Sequence, residues 1–326
     1  MTKVLVTGAA GFIGSHLVHH LIRKGVEVRA MTRYYSSGYL GQLEVLPQSV
    51  RKEIEIIRGD IKDPDFCTKA IQGCEYVFHL AALIAIPFSY HNPTDYVQTN
   101  VLGTTHLLNA SRYSSTLKRF IHTSTSEVYG TAQYLPIDEK HPIHPQSPYA
   151  ASKVAADALV KSYHLSFGLP TTTIRPFNTY GPRQSNRAII PTIISQLLTK
   201  GSVSLGNLLP KRDFLYVKDT VGGFWEVGTH GNTLGQTLNL GTGEDISIGQ
   251  LYQVLCKLTQ KEPTLLQDKQ RMRPQNSEVF HLLANTQKAE QLTNWKPQYS
   301  LEEGLSETIE WISNNLDRFL PNEYVL

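Results

Sequence analysis

The segment that most constrains the fold stands at the start of the chain. Lys3–Thr7 (KVLVT) is a short apolar run that reads as a buried strand. Gly8, Gly11 and Gly14 follow at three-residue spacing in TGAAGFIGSH. Phe12, Ile13, Leu17, Val18, Leu21 and Ile22 then recur at helical spacing, so the glycines join a strand to an amphipathic helix. Glycines there permit a tight turn, close approach of backbone to a pyrophosphate, and tight packing of helix on strand. The helix N-terminus offers that phosphate unbonded N–H groups. The spacing predicts a dinucleotide-binding βαβ unit.

The alternation continues. Glu27–Met31, Glu53–Arg58, Tyr76–Leu80, Phe120–Thr123 and Thr171–Arg175 read as strands; Pro64–Ile71, Pro93–Arg112 and Tyr149–Phe167 read as helices. Such a pattern predicts an α/β fold, a doubly wound parallel sheet with helices on both faces. Ligands sit beyond the carboxyl ends of the strands in these sheets. Gly8–Gly14, Thr32 with Arg33, Asp60, Ala81 with Ala82, and Thr123–Glu127 all fall at those ends. From about residue 176 turns become denser, and helices Pro191–Thr199, Ile248–Leu258 and Leu301–Leu316 are separated by short strands. No Gly/Ser or charged linker intervenes. The expected organisation is a dinucleotide-binding domain over residues 1–175 and a smaller, interleaved lobe over 176–326.

Composition narrows the function. Net charge is +3 with acids and bases interspersed, which suggests neither a nucleic-acid groove nor a membrane surface. No apolar run approaches the ~20 residues of a membrane helix. The first strand begins at Lys3, so no signal or transit peptide is expected. Cys67, Cys74 and Cys256 are scattered, without metal-ligand spacing, and fit a reducing cytoplasm. The expectation is a cytoplasmic protein without a metal.

Chemistry concentrates in STSEVYG (Ser124–Gly130) and YAASK (Tyr149–Lys153). Tyr-x-x-x-Lys places a phenol and an ammonium one helical turn apart. A nearby ammonium lowers a tyrosine pKa from ~10 toward working pH. Tyr149, with Lys153 holding its pKa down, is thus expected to act as base toward an alcohol. Glu127 adds a second base, which simple alcohol oxidation does not need; breaking a C–H bond beside a ketone does. An acid at the end of the second strand would bind the ribose 2′-hydroxyl of NAD. This chain has Thr32 and Arg33 there, so NADP is the preferred cofactor, with NAD as the alternative.

TGAAGFIG, the Tyr149/Lys153 pair, Asn100 in TNVLGT, RPFNTYGP (Arg175–Pro182), RDFLYVKD (Arg212–Asp219) and NWKPQYSLEEGL (Asn294–Leu305) resemble the extended short-chain dehydrogenase/reductases. Those are NAD(P)-dependent enzymes of nucleotide sugars. Thr-Ser-Glu followed by VYG looks like the 4,6-dehydratases and the UDP-glucuronate decarboxylases, and SPYAASK is closer to the dehydratases. His79–Pro93, Ser124–Pro142 and Arg175–Ile194 resemble a bacterial subgroup acting on nucleotide-linked N-acetylglucosamine, on routes to legionaminic- or pseudaminic-type sugars.

The resemblance implies roles. Thr125, Ser126, Glu127, Tyr149 and Lys153 would be catalytic. Gly8, Gly11, Phe12, Ile13, Gly14, Thr32, Arg33, Asp60, Ile61, Leu80, Ala81, Ala82, Thr123, Tyr149, Lys153 and Pro176 would hold the dinucleotide, with Asp60 meeting the adenine. Thr125, Ser126, Glu127, Asn178, Arg187, Arg212 and Arg273 would bind the nucleotide sugar, the arginines through its diphosphate; Arg271 is a further candidate. Ser126 stands where some relatives carry an aspartic acid that protonates the leaving water. Helices Pro93–Arg112 and Tyr149–Phe167 would pair across a two-fold axis as the four-helix bundle of a homodimer. The implied activity is 4,6-dehydration of UDP- or GDP-N-acetylglucosamine with internal recycling of the cofactor. Alternatives are a UDP-glucuronate decarboxylase, a dehydratase that also epimerises C5, and a non-catalytic NADP sensor.

Overall fold

The structure, a computed structural model, describes residues 2–272 and 274–319. Its frame is a parallel sheet of seven strands. In chain order these are β1 (Lys3–Thr7), β2 (Glu27–Thr32), β3 (Ile54–Arg58), β4 (Tyr76–His79), β5 (Arg119–Thr123), β6 (Thr171–Pro176) and a seventh strand, Thr237–Leu240. Their spatial order is seventh–β6–β5–β4–β1–β2–β3. β1 pairs with β2 on one side and β4 on the other, so the winding reverses there and a crevice opens at the carboxyl ends. Register sets Thr7 level with Met31 and His79, and His79 level with His122.

Both faces are covered, which is why the strands read as apolar runs rather than alternating ones. On one face, Leu17, Val18 and Leu21 of the first helix (Phe12–Arg23) meet Val4 and Val6 of β1 and Phe224 and Val227 of helix Val217–Thr229. On the other, Leu5, Met31 and Phe120 of the sheet meet Cys67 and Ala70 of helix Pro64–Ile71, Leu107 of helix Gly103–Arg112 and Val160 of helix Pro148–Phe167. The second half of the chain adds small sheets, including Phe214–Tyr216 beside Asn178–Tyr180. Tyr180, Phe214 and Tyr216 belong to the same core as the first helix.

Several elements differ from expectation, the unforeseen helix Val217–Thr229 among them. The single helix expected over Pro93–Arg112 consists of Pro93–Tyr96, a π-helical stretch Val97–Leu102, and Gly103–Arg112. The wider turn accompanies Asn100, whose side chain accepts from Leu83 N and donates to Leu83 O and to Ser152 Oγ at 2.8–2.9 Å. Ile86–His91 forms a short helix that its six residues and Pro87 conceal. The seventh strand escapes a sequence reading because four residues carrying Thr237 and Asn239 make no apolar run.

Candidate active site

The glycine turn and the loop after β4 touch. Gly8 adopts φ +68°, and a Cβ there would lie 2.8 Å from Ala81 N. A Cβ on Gly14 would collide with the carbonyl oxygen of Gly8. Thr7 Oγ1 accepts from Leu80 N and Ala81 N, both at 3.1 Å, and fixes that loop. Gly11 is the N-cap of the first helix and has no capping side chain, leaving first-turn N–H groups for an anion. Phe12, Ile13, Leu80, Ala81 and Ala82 are half-buried around this turn, and Pro176 is buried at the end of β6. Thr32 Oγ1 and Thr123 Oγ1, at the ends of β2 and β5, are buried without a hydrogen-bond partner among the described residues. Unsatisfied hydroxyls cost stability unless something binds them. A close backbone cradle, an uncapped helix and two orphaned hydroxyls fit a dinucleotide.

At the far end of the crevice, Arg33, Tyr34, Gly59, Asp60, Lys62 and Asp95 line a hollow of about 290 Å³. Arg33 Nε stands 3.9 Å from Asp60 Oδ2, so the expected phosphate cation already faces a carboxylate. Ile61 is buried behind Asp60. Tyr34 and Lys62 were not expected here. Tyr34 directly follows Arg33, and Lys62 follows the Gly59-Asp60 turn, so proximity to those ends was the available signal.

Two segments build the reacting end. Helix Pro148–Phe167 starts with Ser147 accepting from Ala150 N at 3.1 Å and with Pro148 in its first turn. That start fixes Tyr149 and, one turn on, Lys153, which are 8% and 4% exposed. After β5, Thr125 caps the turn Ser126–Tyr129 by accepting from Glu127 N at 3.2 Å. The Thr125 hydroxyl also hydrogen-bonds the Tyr149 phenol, and Tyr96 sets its ring edge-on to Tyr149. Ser126 is buried and Glu127 half-buried; the Glu127 carboxylate acts electrostatically on the phenol. Thr125, Glu127 and Tyr149 thus form one cluster.

One expectation is corrected. Lys153 does not hold the Tyr149 pKa down in the protein alone: burial raises it well above 10, against the opposing hydrogen bond from Thr125. Burial equally lowers Lys153, to about 8, against the attraction of Asp157. Desolvation penalises phenolate and ammonium alike, and a sequence spacing carries no information on it.

The substrate candidates are dispersed. Asn178 presents a buried Oδ1 without a partner among the described residues. Arg212 is buried, donates to Lys211 O at 2.9 Å and lies 3.7 Å from Glu278. Arg187 is exposed on Ser185 Oγ, and its charge reaches Tyr96. Arg271 pairs with Asp268 at 3.1 Å. Arg273 lies outside the described residues. Among the described residues no group of three or more His, Cys, Asp or Glu could hold a metal, and no helix is long and apolar enough to cross a membrane.

Comparison with known proteins agrees with this geometry. A family model described as GDP-mannose 4,6 dehydratase matches residues 5–308. The chain is 33% identical to a dTDP-D-glucose 4,6-dehydratase of Mus musculus, over 99% of this chain and 92% of that one. The structure of a Bacillus cereus UDP-glucuronic acid 4-epimerase with UDP-glucuronic acid and NAD superposes with TM-score 0.86 at 31% identity, covering 96% and 100% of the two chains. A dTDP-glucose 4,6-dehydratase from Streptomyces venezuelae with NAD bound gives 0.86 at 28% identity, covering 96% and 98%. Both solved relatives contain NAD, so the preference for NADP expected from Arg33 gains no support from them.

Proposed function

This chain belongs to the GDP-mannose 4,6-dehydratase family of the extended short-chain dehydrogenase/reductases, and from that premise we propose that it is a nucleotide-sugar 4,6-dehydratase. The observation that carries the choice is Glu127, a carboxylate close enough to Tyr149 to act on its phenol. Two bases in one cluster suit a reaction that takes two different protons.

The dinucleotide is held by the Gly8–Gly14 turn, Thr32, Asp60 with Ile61, Leu80–Ala82, Thr123 and Pro176, in a division into residues 1–175 and 176–326. When bound, its nicotinamide would supply reversible hydride chemistry between C4 and C6 of the sugar. Tyr149 removes the proton of the 4-hydroxyl, and Lys153 supports the phenolate. Thr125 positions the 4-oxygen through the bond it now makes to Tyr149. The 4-ketone acidifies the C5 proton, which Glu127 takes. A serine hydroxyl is a poor acid, so Ser126 orients the 6-hydroxyl while Glu127 delivers the proton and water leaves. Once C6 has the hydride, C5 takes a proton, which balances the one Tyr149 removed from the 4-hydroxyl. Arg212, Arg187, Arg273 and Asn178 bind the diphosphate, and the proposed sugar is UDP-N-acetylglucosamine. NADP rests on Arg33 alone. Exposed Val97, Leu102, Leu165 and Phe167 on the paired helices supply an apolar face for the proposed homodimer. The free thiols Cys67, Cys74 and Cys256 suit a cytoplasmic location.

Replacing Glu127 tests the assignment. Glu127→Gln is expected to let reduced nicotinamide accumulate at 340 nm while no water is lost from the sugar; unimpaired water loss contradicts it. A C4 epimerase is the second reading, favoured by Ser126 in place of an acid, and it would release no water at all.

A further inference from the structure

Behind Tyr149 and Lys153 lies a cluster of buried polar groups that the proposed steps leave unused. Asp157 follows Lys153 by one turn on helix Pro148–Phe167. Its Oδ2 accepts from Ser124 Oγ at 2.8 Å, Arg175 Nη2 at 2.9 Å and Arg175 Nε at 3.2 Å. Its Oδ1 stands 3.2 Å from His122 Nε2, without the alignment of a hydrogen bond. Ser124 directly precedes Thr125. Arg175 also donates to the Tyr129 hydroxyl at 2.9 Å, and Tyr129 ends the turn that carries Ser126 and Glu127. One carboxylate therefore ties the helix of Tyr149 and Lys153 to both ends of the Thr125–Glu127 segment.

We propose that Asp157 is a positioning residue of the active centre: it holds the Thr125–Glu127 segment in register with Tyr149, and its negative charge keeps Lys153 protonated. This rests on the catalytic reading of those residues given above.

The surroundings of Lys153 leave the second task to Asp157. From β4 it faces His79 and from β5 His122, both held neutral by burial, His122 at about 4. Arg175 of β6 is a cation, already paired with Asp157. Tyr149, on the same helix, is held neutral by burial. Asp157 is thus the anion among these groups, and it opposes the desolvation that lowers Lys153. Burial works against the Asp157 charge too, but His122, Arg175 and Lys153 outweigh it and hold the carboxyl at about 2. The carboxylate is therefore ionised throughout the working pH range. An isolated ammonium in the same pocket would lose its proton at lower pH.

The test substitutes the charge and the tether separately in the full-length protein. Asp157→Asn keeps an oxygen acceptor and removes the charge. The titration of Lys153 is followed by NMR of protein labelled with ¹³C at lysine Cε, with Lys153→Arg assigning the signal. Its midpoint is expected to fall by about one pH unit, with the alkaline limb of kcat falling equally and KM unchanged. Ser124→Ala leaves the charge in place and is expected to lower kcat about ten-fold, with KM and the alkaline limb unmoved. An unmoved midpoint in Asp157→Asn, or an unchanged kcat in Ser124→Ala, overturns the proposal. If Asp157→Asn does not fold because Arg175 is left unpaired, Asp157→Asn with Arg175→Gln is compared with Arg175→Gln alone, and the same fall is expected. The NMR midpoint reads Lys153 whether or not any sugar is turned over. A failure of the dehydratase reading, seen as absence of product, is thereby separated from a failure of this one.

Discussion

Gly8 and Ala81 approach so closely that a single Cβ on Gly8 would lie 2.8 Å from the Ala81 amide nitrogen. The same glycine holds φ +68°, so two separate constraints meet at one position. Gly25 separates them, since it holds φ +74° with nothing within 4 Å of its would-be Cβ. Gly8→Ala is expected to weaken NAD(P)H binding at least about ten-fold, as read by nicotinamide fluorescence. Gly25→Ala should cost about 1 kcal/mol of stability and leave binding intact. Equal loss of binding in both would mean that backbone strain, not contact at the crevice, is responsible.

Lys153 gives the reaction a pH signature. Burial lowers its pKa to about 8, so its ammonium is lost as pH rises through that value. If the ammonium supports the Tyr149 phenolate, kcat/KM falls on the alkaline side of about 8. Lys153→Met should abolish that limb and cost about 10²-fold or more in rate. A limb that persists in the variant assigns the titration to another group.

The expected preference for NADP rests on Arg33. Its half-exposed guanidinium lies 3.9 Å from Asp60, and no acid stands at the end of β2. Arg33→Ala should weaken NADP about ten-fold by loss of a charge-assisted contact, with NAD within about two-fold of wild type. Isothermal titration with each dinucleotide measures both. Parallel losses would make Arg33 a structural partner of Asp60 alone.

Burial of His122 predicts a fold that loses stability in acid. It has no exposed surface, and burial lowers its pKa to about 4 despite the nearby Asp157. In the unfolded chain it titrates near 6.5. Between those values the unfolded state binds the extra proton, so stability is lost as pH falls from about 6.5 through 4. The contribution approaches about 3 kcal/mol by pH 4. His16, lowered to about 3 by burial and by Arg183, acts in the same direction. Urea unfolding at pH 7 and pH 4.5 should show a smaller difference for His122→Asn than for wild type, even if the variant is less stable at both. An identical difference would remove His122 from the account.

What the sequence disclosed follows from the range of each interaction. The first βαβ unit was legible because its strand, glycines and helix are contiguous, and Gly8, Gly11 and Gly14 each answer a local need. Tyr149 with Lys153, and Thr125 with Glu127, were legible for the same reason: a helical turn and a capped turn are local. The sign of the Tyr149 shift was not, because desolvation depends on packing from Tyr96, β5 and the rest of the fold. Arg33 reads from the sequence as a residue favouring NADP, and the pairing of β3 with β2 brings Asp60 beside it. Asp157 stood in plain view four residues after Lys153, but Ser124 and Arg175 come from β5 and β6. The helix at Asn100 read as continuous because its π-helical stretch depends on contacts with Leu83 and Ser152.

The central claim is loss of water from a nucleotide sugar, and mass spectrometry reads it most directly. Purified protein would be incubated, without added cofactor, with UDP-N-acetylglucosamine, GDP-N-acetylglucosamine, UDP-glucuronate, GDP-mannose and dTDP-glucose in turn. UDP-N-acetylglucosamine is expected to lose one water, and Glu127→Gln is expected not to perform this step. Loss of carbon dioxide from UDP-glucuronate, or conversion to a C4 epimer with no change of mass, would contradict it.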